Sequence, residues 1–366
     1  MGTVVTYAPD DGEGTTEHEV AARVAVARAL AALKGFQFGG AYQPSLRRNG
    51  GLYFVPSQTL SAEEARSLGI AGEQDLFGGV VPHAFVATKT IAHPLTGPDA
   101  RRPPGWSDAF PERVREVVLP GFAAFTHEDA CQAALALLVD GPVRLKRGRG
   151  IGGKGQATIS NGAELDRVLG TIDPEEIASH GLVVEPNLSE LTTFSVGRVS
   201  VGEMRAAYCG TQRTTRDNGG QPAYGGSDLI IVRGGFEDVQ RLNLPPQALT
   251  AVQQACAFDA AVREFPGMFA SRRNYDVLRG RDARGRWHCG VLEQSWRIGG
   301  ASGPEVAALA AFRADTKLRA VHARSNEAYD VDAIVPPGAI VHYRGIDKRA
   351  GPMTTYTTLE PYERVG

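Results

Sequence analysis

The sequence predicts a mixed α/β protein, of the α+β kind, built from several lobes. Three observations carry that prediction. A short β-prone run leads into an alanine-rich segment with apolar residues at helical spacing, which is how open α/β domains begin. A strand, a glycine-rich loop and a second strand follow one another around residue 150. From Thr192 onward the pattern turns β-rich and reaches an acidic hairpin before one more helix.

The chain has 366 residues, 42% hydrophobic and 22% charged, with a net charge of -2. That length is enough for two or three packed domains, and that balance is ordinary for a soluble globular chain with a large core. It gives no electrostatic footprint for nucleic acid or an anionic membrane. Cys131, Cys209, Cys256 and Cys289 have no CxxC spacing, so neither a zinc site nor a disulfide framework is expected. No apolar run is long enough to span a membrane, and the first residues lack the basic and apolar parts of a secretory signal. The expected location is the cytoplasm.

In order, Thr3 to Tyr7 reads as a strand and Glu17 to Leu33 as a helix. Leu52 to Val55 is a strand, and Ser61 caps a helix whose Glu63 and Glu64 suit its first turn. Leu95 to Pro111, rich in Pro, Gly and Arg, reads as a surface loop. Thr126 to Leu138 is helical, Pro142 to Lys146 and Gln156 to Ile159 are strands, and Glu164 to Leu169 is a helix. Leu182 to Glu185, Phe194 to Val201, Met204 to Tyr208 and Leu229 to Val232 are strands. The polar segment between the last two, Thr211 to Asp228, reads as a glycine-rich loop. Gln247 to Phe265 is helical, and Pro304 opens a helix to about Leu318 as its first residue. The tail from Val321 contains a strand-like AIVHY and no recognisable chemistry.

The loop from Gly148 to Gly155 contains both GxGxxG and GxxxxGK. Both patterns must open a helix, and the second needs Ser or Thr after Lys154, where Gly155 stands. The loop is therefore a flap between two strands, whose backbone amides (Gly150, Gly152, Gly153) can still cradle phosphates with Lys154 and Arg149 adding charge. Lys146 ends the strand before it, placed to reach an α- or β-phosphate. Glu185, Asn187 and Leu188 end another strand, where an acid and an amide edge suit an adenine amino group. In the hairpin, a turn centred between Arg284 and Gly285 puts Asp276 opposite Glu293. Like charges so opposed, about 5 Å apart, repel unless a divalent cation lies between them. Ser295 and Arg297 follow Glu293 at strand spacing and share its face. Arg213, Arg233 and Ser227 are candidates for a second substrate, the arginines as forks for a carboxylate. The histidines at 18, 83, 93 and 127 have no partner at metal-ligand spacing and read as structural.

Together these parts resemble the ATP-grasp superfamily from about Thr88 to Leu318. The blocks DLFGGVVP, RLKRGRGIGGKGQ, YGGSDL and LEQSWRIGGAS are similar to an uncharacterised bacterial branch of it. The resemblance implies an ATP-grasp fold divided into an N-terminal α/β domain (1–110), a small lobe with the flap (111–190), a large lobe with the metal hairpin (191–320) and a tail (321–366). It implies ATP phosphates against Lys89, Lys146 and the flap, with Lys154 and Arg297 aiding transfer. Adenine would lie at Glu185 to Leu188 and ribose near Glu190. One or two Mg²⁺, or Mn²⁺, would be held by Asp276, Glu293 and Ser295. Where the superfamily usually has asparagine after the last metal glutamate, Ser295 puts the second metal in question. The implied activity is a ligase joining a small-molecule carboxylate to an amine through an acyl phosphate. A phosphotransferase acting on a hydroxyl and a non-catalytic nucleotide-binding module are the alternatives. The tail is assigned either to a homodimer contact or to covering the site. Lys146→Ala and Glu293→Gln are expected to abolish turnover with the fold intact.

Overall fold

The computed structural model describes residues 2–9, 15–49, 51–150 and 155–362. The chain opens with β1 (Thr3–Tyr7), α1 (Glu17–Lys34), β2 (Gln37–Ala41) and β3 (Leu52–Pro56), and the three strands form a parallel sheet in the order β2-β1-β3. Thr16 starts α1 with a reciprocal capping box: its hydroxyl accepts from Glu19 N while the Glu19 carboxylate accepts from Thr16 N. Ser61 and Glu64 build the same device at α2 (Ala62–Leu68), after the short β4 (Leu60–Ser61). β5 (Gly79–Val81) follows, then a 3-10 turn, Lys89–Ala92, that carries Lys89.

The proline-rich loop is shorter than its composition suggests. α3 (Ala109–Val114) begins inside it and buries Phe110 fully. Pro111 is the third residue of that helix, within the first turn, where its missing N–H costs nothing. The next lobe runs through β6 (Phe122–Ala124), α4 (His127–Leu138), β7 (Val143–Arg147), β8 (Gln156–Ile159), α5 (Gly162–Leu169), α6 (Pro174–His180) and β9 (Leu182–Pro186). Its four strands lie in the order β6-β9-β7-β8, and their apolar face packs on α4 and α5 through Val143, Leu145, Ala130 and Leu165.

The remaining strands make the scaffold of the molecule. β10 (Ser189–Val201), β11 (Met204–Arg216) and β12 (Pro222–Arg233) are a long meander. α7 (Phe236–Gln240), α8 (Pro246–Ala261), β13 (Phe269–Ala270), β14 (Arg272–Arg281), β15 (Trp287–Ser295) and α9 (Ser302–Ala314) follow. β16 (Ala320–Ala328), β17 (Ile340–Asp347) and β18 (Gly351–Pro361) end the chain. Eight of them form one sheet, β15-β14-β10-β11-β12-β16-β18-β17. The tail thus supplies three strands of the largest sheet. One face packs on α8 through Phe194, Val196, Cys209 and Phe258, and the other on α9 and α1 through Val199, Tyr208, Leu309 and Leu30.

Two boundaries differ from expectation. Thr211 to Arg216 and Pro222 to Asp228 are strand, not loop, and only the five residues from Asp217 turn. The polarity of the side chains there therefore does not mark an irregular backbone. Pro304 is the third residue of α9, which starts at Ser302 and ends at Ala314.

Candidate active site

β14 and β15 build the acidic centre. Next to the turn their register pairs Val277 with Val291, then a β-bulge at Leu292 shifts it so that Asp276 faces Glu293. The extra residue re-aims the second carboxylate, the usual effect of a bulge. Gln212 Nε2 and Asn274 Nδ2 both donate to Asp276 Oδ1, at 2.8 and 2.9 Å. No described donor reaches Oδ2. Burial, then repulsion from Glu293, pushes the Asp276 carboxyl up to about 6 in spite of those two amides. Asn274 is fixed in turn by Ser195, whose hydroxyl donates to Asn274 Oδ1 at 2.7 Å. The Tyr208 hydroxyl lies 2.6 Å from Glu305 Oε1, and Arg272 Nε donates to Glu305 Oε2 at 2.7 Å. This buried lattice of Arg272, Glu305, Tyr208 and Asn274 holds β14 rigid beneath the carboxylates.

Lys89 joins the centre to the flap. Its ammonium is 2.6 Å from Glu293 Oε2 and donates to Gly150 O at 2.7 Å. Gln294, the residue after Glu293, places it: Nε2 donates to Val86 O at 3.0 Å and Thr88 O at 2.7 Å, pinning the turn that carries Lys89 against β15. Ser295 lies opposite Asn274, on the face of the carboxylates, and β15 ends there. Arg297 follows in the bend, where Nη1 donates to Ile298 O at 2.7 Å. Burial lowers its guanidinium from the ordinary value, with the Glu293 charge working against that.

At the base of the flap, Lys146 pairs with Glu185 Oε2, and His93 Nε2 lies 3.0 Å from Glu185 Oε1. Lys146 is 4% exposed and Glu185 1%. Burial alone would raise the Glu185 carboxyl, but Lys146 and His93 outweigh it and hold it down at about 2. The acid expected to face adenine is therefore committed to a lysine and a histidine. Asn187 is committed as well, its Oδ1 accepting from Arg144 Nε and Nη2 at 3.1 and 2.7 Å. Leu188 instead joins Leu119, Leu278 and Leu292 in a small apolar cluster at the end of the strand that carries Glu185. Glu190 takes a positive φ of 51 and lies 3.4 Å from Arg281, exposed. Gly152, Gly153 and Lys154 lie outside the described residues.

The three residues read as substrate contacts are engaged elsewhere. Arg213 Nη2 donates to Ser325 O at 3.0 Å and Asn326 Oδ1 at 2.8 Å. Ser227 is buried with its hydroxyl 2.6 Å from Tyr224 Oη. Arg233 caps the far end of α9, donating to the carbonyls of Phe312, Asp315 and Leu318. Conversely, Gln294, Gln212, Asn274 and Glu305 were not singled out from sequence, and His93 was read only as structural. His93 meets Glu185 across 92 positions, and nothing local marks such a pair.

The sequence blocks themselves converge. A Cβ on Gly79 would come 2.8 Å from Trp296 Cβ, and one on Gly300 would come 2.4 Å from Tyr224 Oη. Gly79 and Gly300, one from each double glycine, thus allow these close contacts. Among the described residues, no helix is long and apolar enough to cross a membrane, and no group of three or more His, Cys, Asp or Glu could hold a metal ion.

Comparison with solved structures shows the same architecture at low identity. Phosphoribosylamine–glycine ligase from Thermotoga maritima superposes with a TM-score of 0.55 at 14% identity, over 99% of this chain and 93% of that one. Biotin carboxylase from Campylobacter jejuni, in a β,γ-ATP complex, gives 0.53 at 11%, over 98% and 87%. The biotin carboxylase domain of Hydrogenobacter thermophilus 2-oxoglutarate carboxylase, with MgADP, ADP and bicarbonate, gives 0.53 at 14%, over 98% and 86%. These neighbours are ATP-grasp enzymes, and the chain has the ATP-grasp fold. A comparison with curated proteins finds no match. Residues 5–357 match the family model described as "Protein of unknown function (DUF3182)", and the chain belongs to that family.

Proposed function

We propose that the protein is an ATP- and Mg²⁺-dependent ligase that joins a small-molecule carboxylate to an amine through an acyl phosphate, releasing ADP and phosphate. The observation that carries this reading is the opposed pair Asp276–Glu293, tied through Lys89 to the flap carbonyl of Gly150. Two hard oxygen donors, one with an oxygen free of donors, suit Mg²⁺, which also takes phosphate oxygens. The donor set fits, and Ser295 on the same face is the remaining candidate ligand. When bound, the metal would neutralise phosphate charge during transfer. Lys89 and Arg297 would orient the phosphates, where fixed positive charge aimed at developing negative charge is the main catalytic effect. The leucine cluster at 119, 188, 278 and 292 suits the flat apolar base of the nucleotide. Lys146, locked onto Glu185, would present the flap strand to the phosphates.

Thermal unfolding with and without Mg-ATP tests the reading. A ligand at a hundred times its dissociation constant adds about 2.7 kcal/mol to stability. A Tm rise that needs Mg²⁺ and shrinks in Glu293→Gln is the expected result, followed by release of ADP and phosphate with pooled carboxylates and amines. A Tm unmoved by any nucleotide would remove the proposal.

A further inference from the structure

The sheet face that carries Asp276 continues into a second polar group that nucleotide binding leaves unused. Gln212, which donates to Asp276, is paired in register with Ser227 on β12. Ser227 bonds Tyr224, and both meet Ser325 on β16: Tyr224 Oη is 3.0 Å from Ser325 Oγ, and Ser227 N donates to that oxygen at 2.9 Å. Two residues further along β16, and so on the same face, is Glu327. It lies directly opposite Thr355 of β18, which faces Tyr343 of β17.

Glu327 is half-buried, yet no hydrogen bond or ion pair reaches its carboxylate among the described residues. Burial, and then the charge of Glu19 at the start of α1, pushes its carboxyl up to about 7, and no cation offsets them. The neighbouring Thr355 hydroxyl, on a residue 6% exposed, has no partner either. The Glu19 charge also acts on Arg297. Even half-buried, an acid without a counter-charge carries a desolvation cost that a bound cation would offset. An orphan hydroxyl beside it supplies a neutral acceptor for a further ammonium proton.

We propose that Glu327, aided by Glu19 and the Thr355 hydroxyl, binds a cationic amine, the ammonium group of the acceptor substrate. The role of that amine as acceptor rests on the ligase reading above, whereas the binding site does not. Arg213, expected to hold a substrate carboxylate, instead anchors Ser325 and Asn326 and so positions the strand that presents Glu327.

The test uses the full chain and three probes at millimolar concentration and constant ionic strength: methylammonium chloride, 1,4-diaminobutane dihydrochloride and neutral 1,4-butanediol. Binding is read by thermal shift and calorimetry, with and without Mg-ATP, in the wild type, Glu327→Gln and Thr355→Val. Saturable binding of an amine but not the diol, weakened about tenfold or more in Glu327→Gln and less in Thr355→Val, is the expected result. An undiminished Mg-ATP shift in Glu327→Gln would show that variant to be folded. Failure of both amines to bind the wild type, or equal binding by Glu327→Gln, would overturn the proposal. Amine binding without any Mg-ATP shift would keep the site and remove the ligase reading; the reverse result would do the opposite.

Discussion

Replacing Lys146 by alanine should destabilise the small lobe whether or not a nucleotide is present. Lys146 and Glu185 form a closed ion pair, and the only other described group on that carboxylate is His93. Removing one partner of a buried pair costs about 3–5 kcal/mol because a charge is left behind without compensation. His93 remains at 3.0 Å and places the estimate at the lower end, about 3 kcal/mol. That is a large fraction of the roughly 5–15 kcal/mol that holds a domain together. Turnover would fall, but not with the fold untouched. The effect carries a pH signature. Glu185 is held at about 2 against an ordinary 4.5, so its contribution is fully present above the ordinary value and is lost as pH falls toward the depressed one. The gap between wild type and Lys146→Ala should therefore be widest near neutrality and narrow as pH drops through about 4.5. Urea unfolding followed by circular dichroism, near neutrality and at about pH 4, measures it. Glu185→Gln added to Lys146→Ala should recover part of the loss, since the orphan charge is gone. A neutral-pH cost below about 1 kcal/mol, or no recovery in the double variant, would refute the reasoning.

Two further substitutions separate positioning from capping. Gln294→Leu strands the carbonyls of Val86 and Thr88, and should cost about 2–4 kcal/mol and diminish the Mg-ATP thermal shift by releasing the turn that holds Lys89. A variant with normal stability and a normal shift would show that Lys89 needs no such clamp. Arg233→Ala removes the cap of α9 and should lower stability by about 1–2 kcal/mol while leaving the Mg-ATP shift unchanged. Loss of the nucleotide response in that variant would restore Arg233 to the site.

The elements were legible wherever side chains advertise them locally. The apolar spacing from Glu17, and Ser61 with Glu63 and Glu64, mark the first two helices, and the polar turn before Trp287 marks the hairpin. The facing of Asp276 and Glu293 was also legible, although by a different route: the strands start one step out of that register and the bulge at Leu292 restores it. What could not be read was partnership over distance. Glu185 looks like a ligand-facing acid until His93 and Lys146 close on it. Thr211 to Asp228 looked like loop because polarity and glycine signal turns only when the neighbouring sheet face is apolar, and here that face is polar, with Gln212 donating to Asp276. The arginines at 213 and 233 could not be assigned from type alone, since a guanidinium forks onto backbone carbonyls as readily as onto a substrate.

Asp347, near the chain's end, accepts from His18 N at 2.9 Å and lies 3.0 Å from His18 Nδ1, across 329 positions. The first helix is thereby latched to one of the last strands, so an element near the start of the sequence is held by one near its end. A contact that joins residues so far apart forms late in folding, since a long loop must close before the contact contributes.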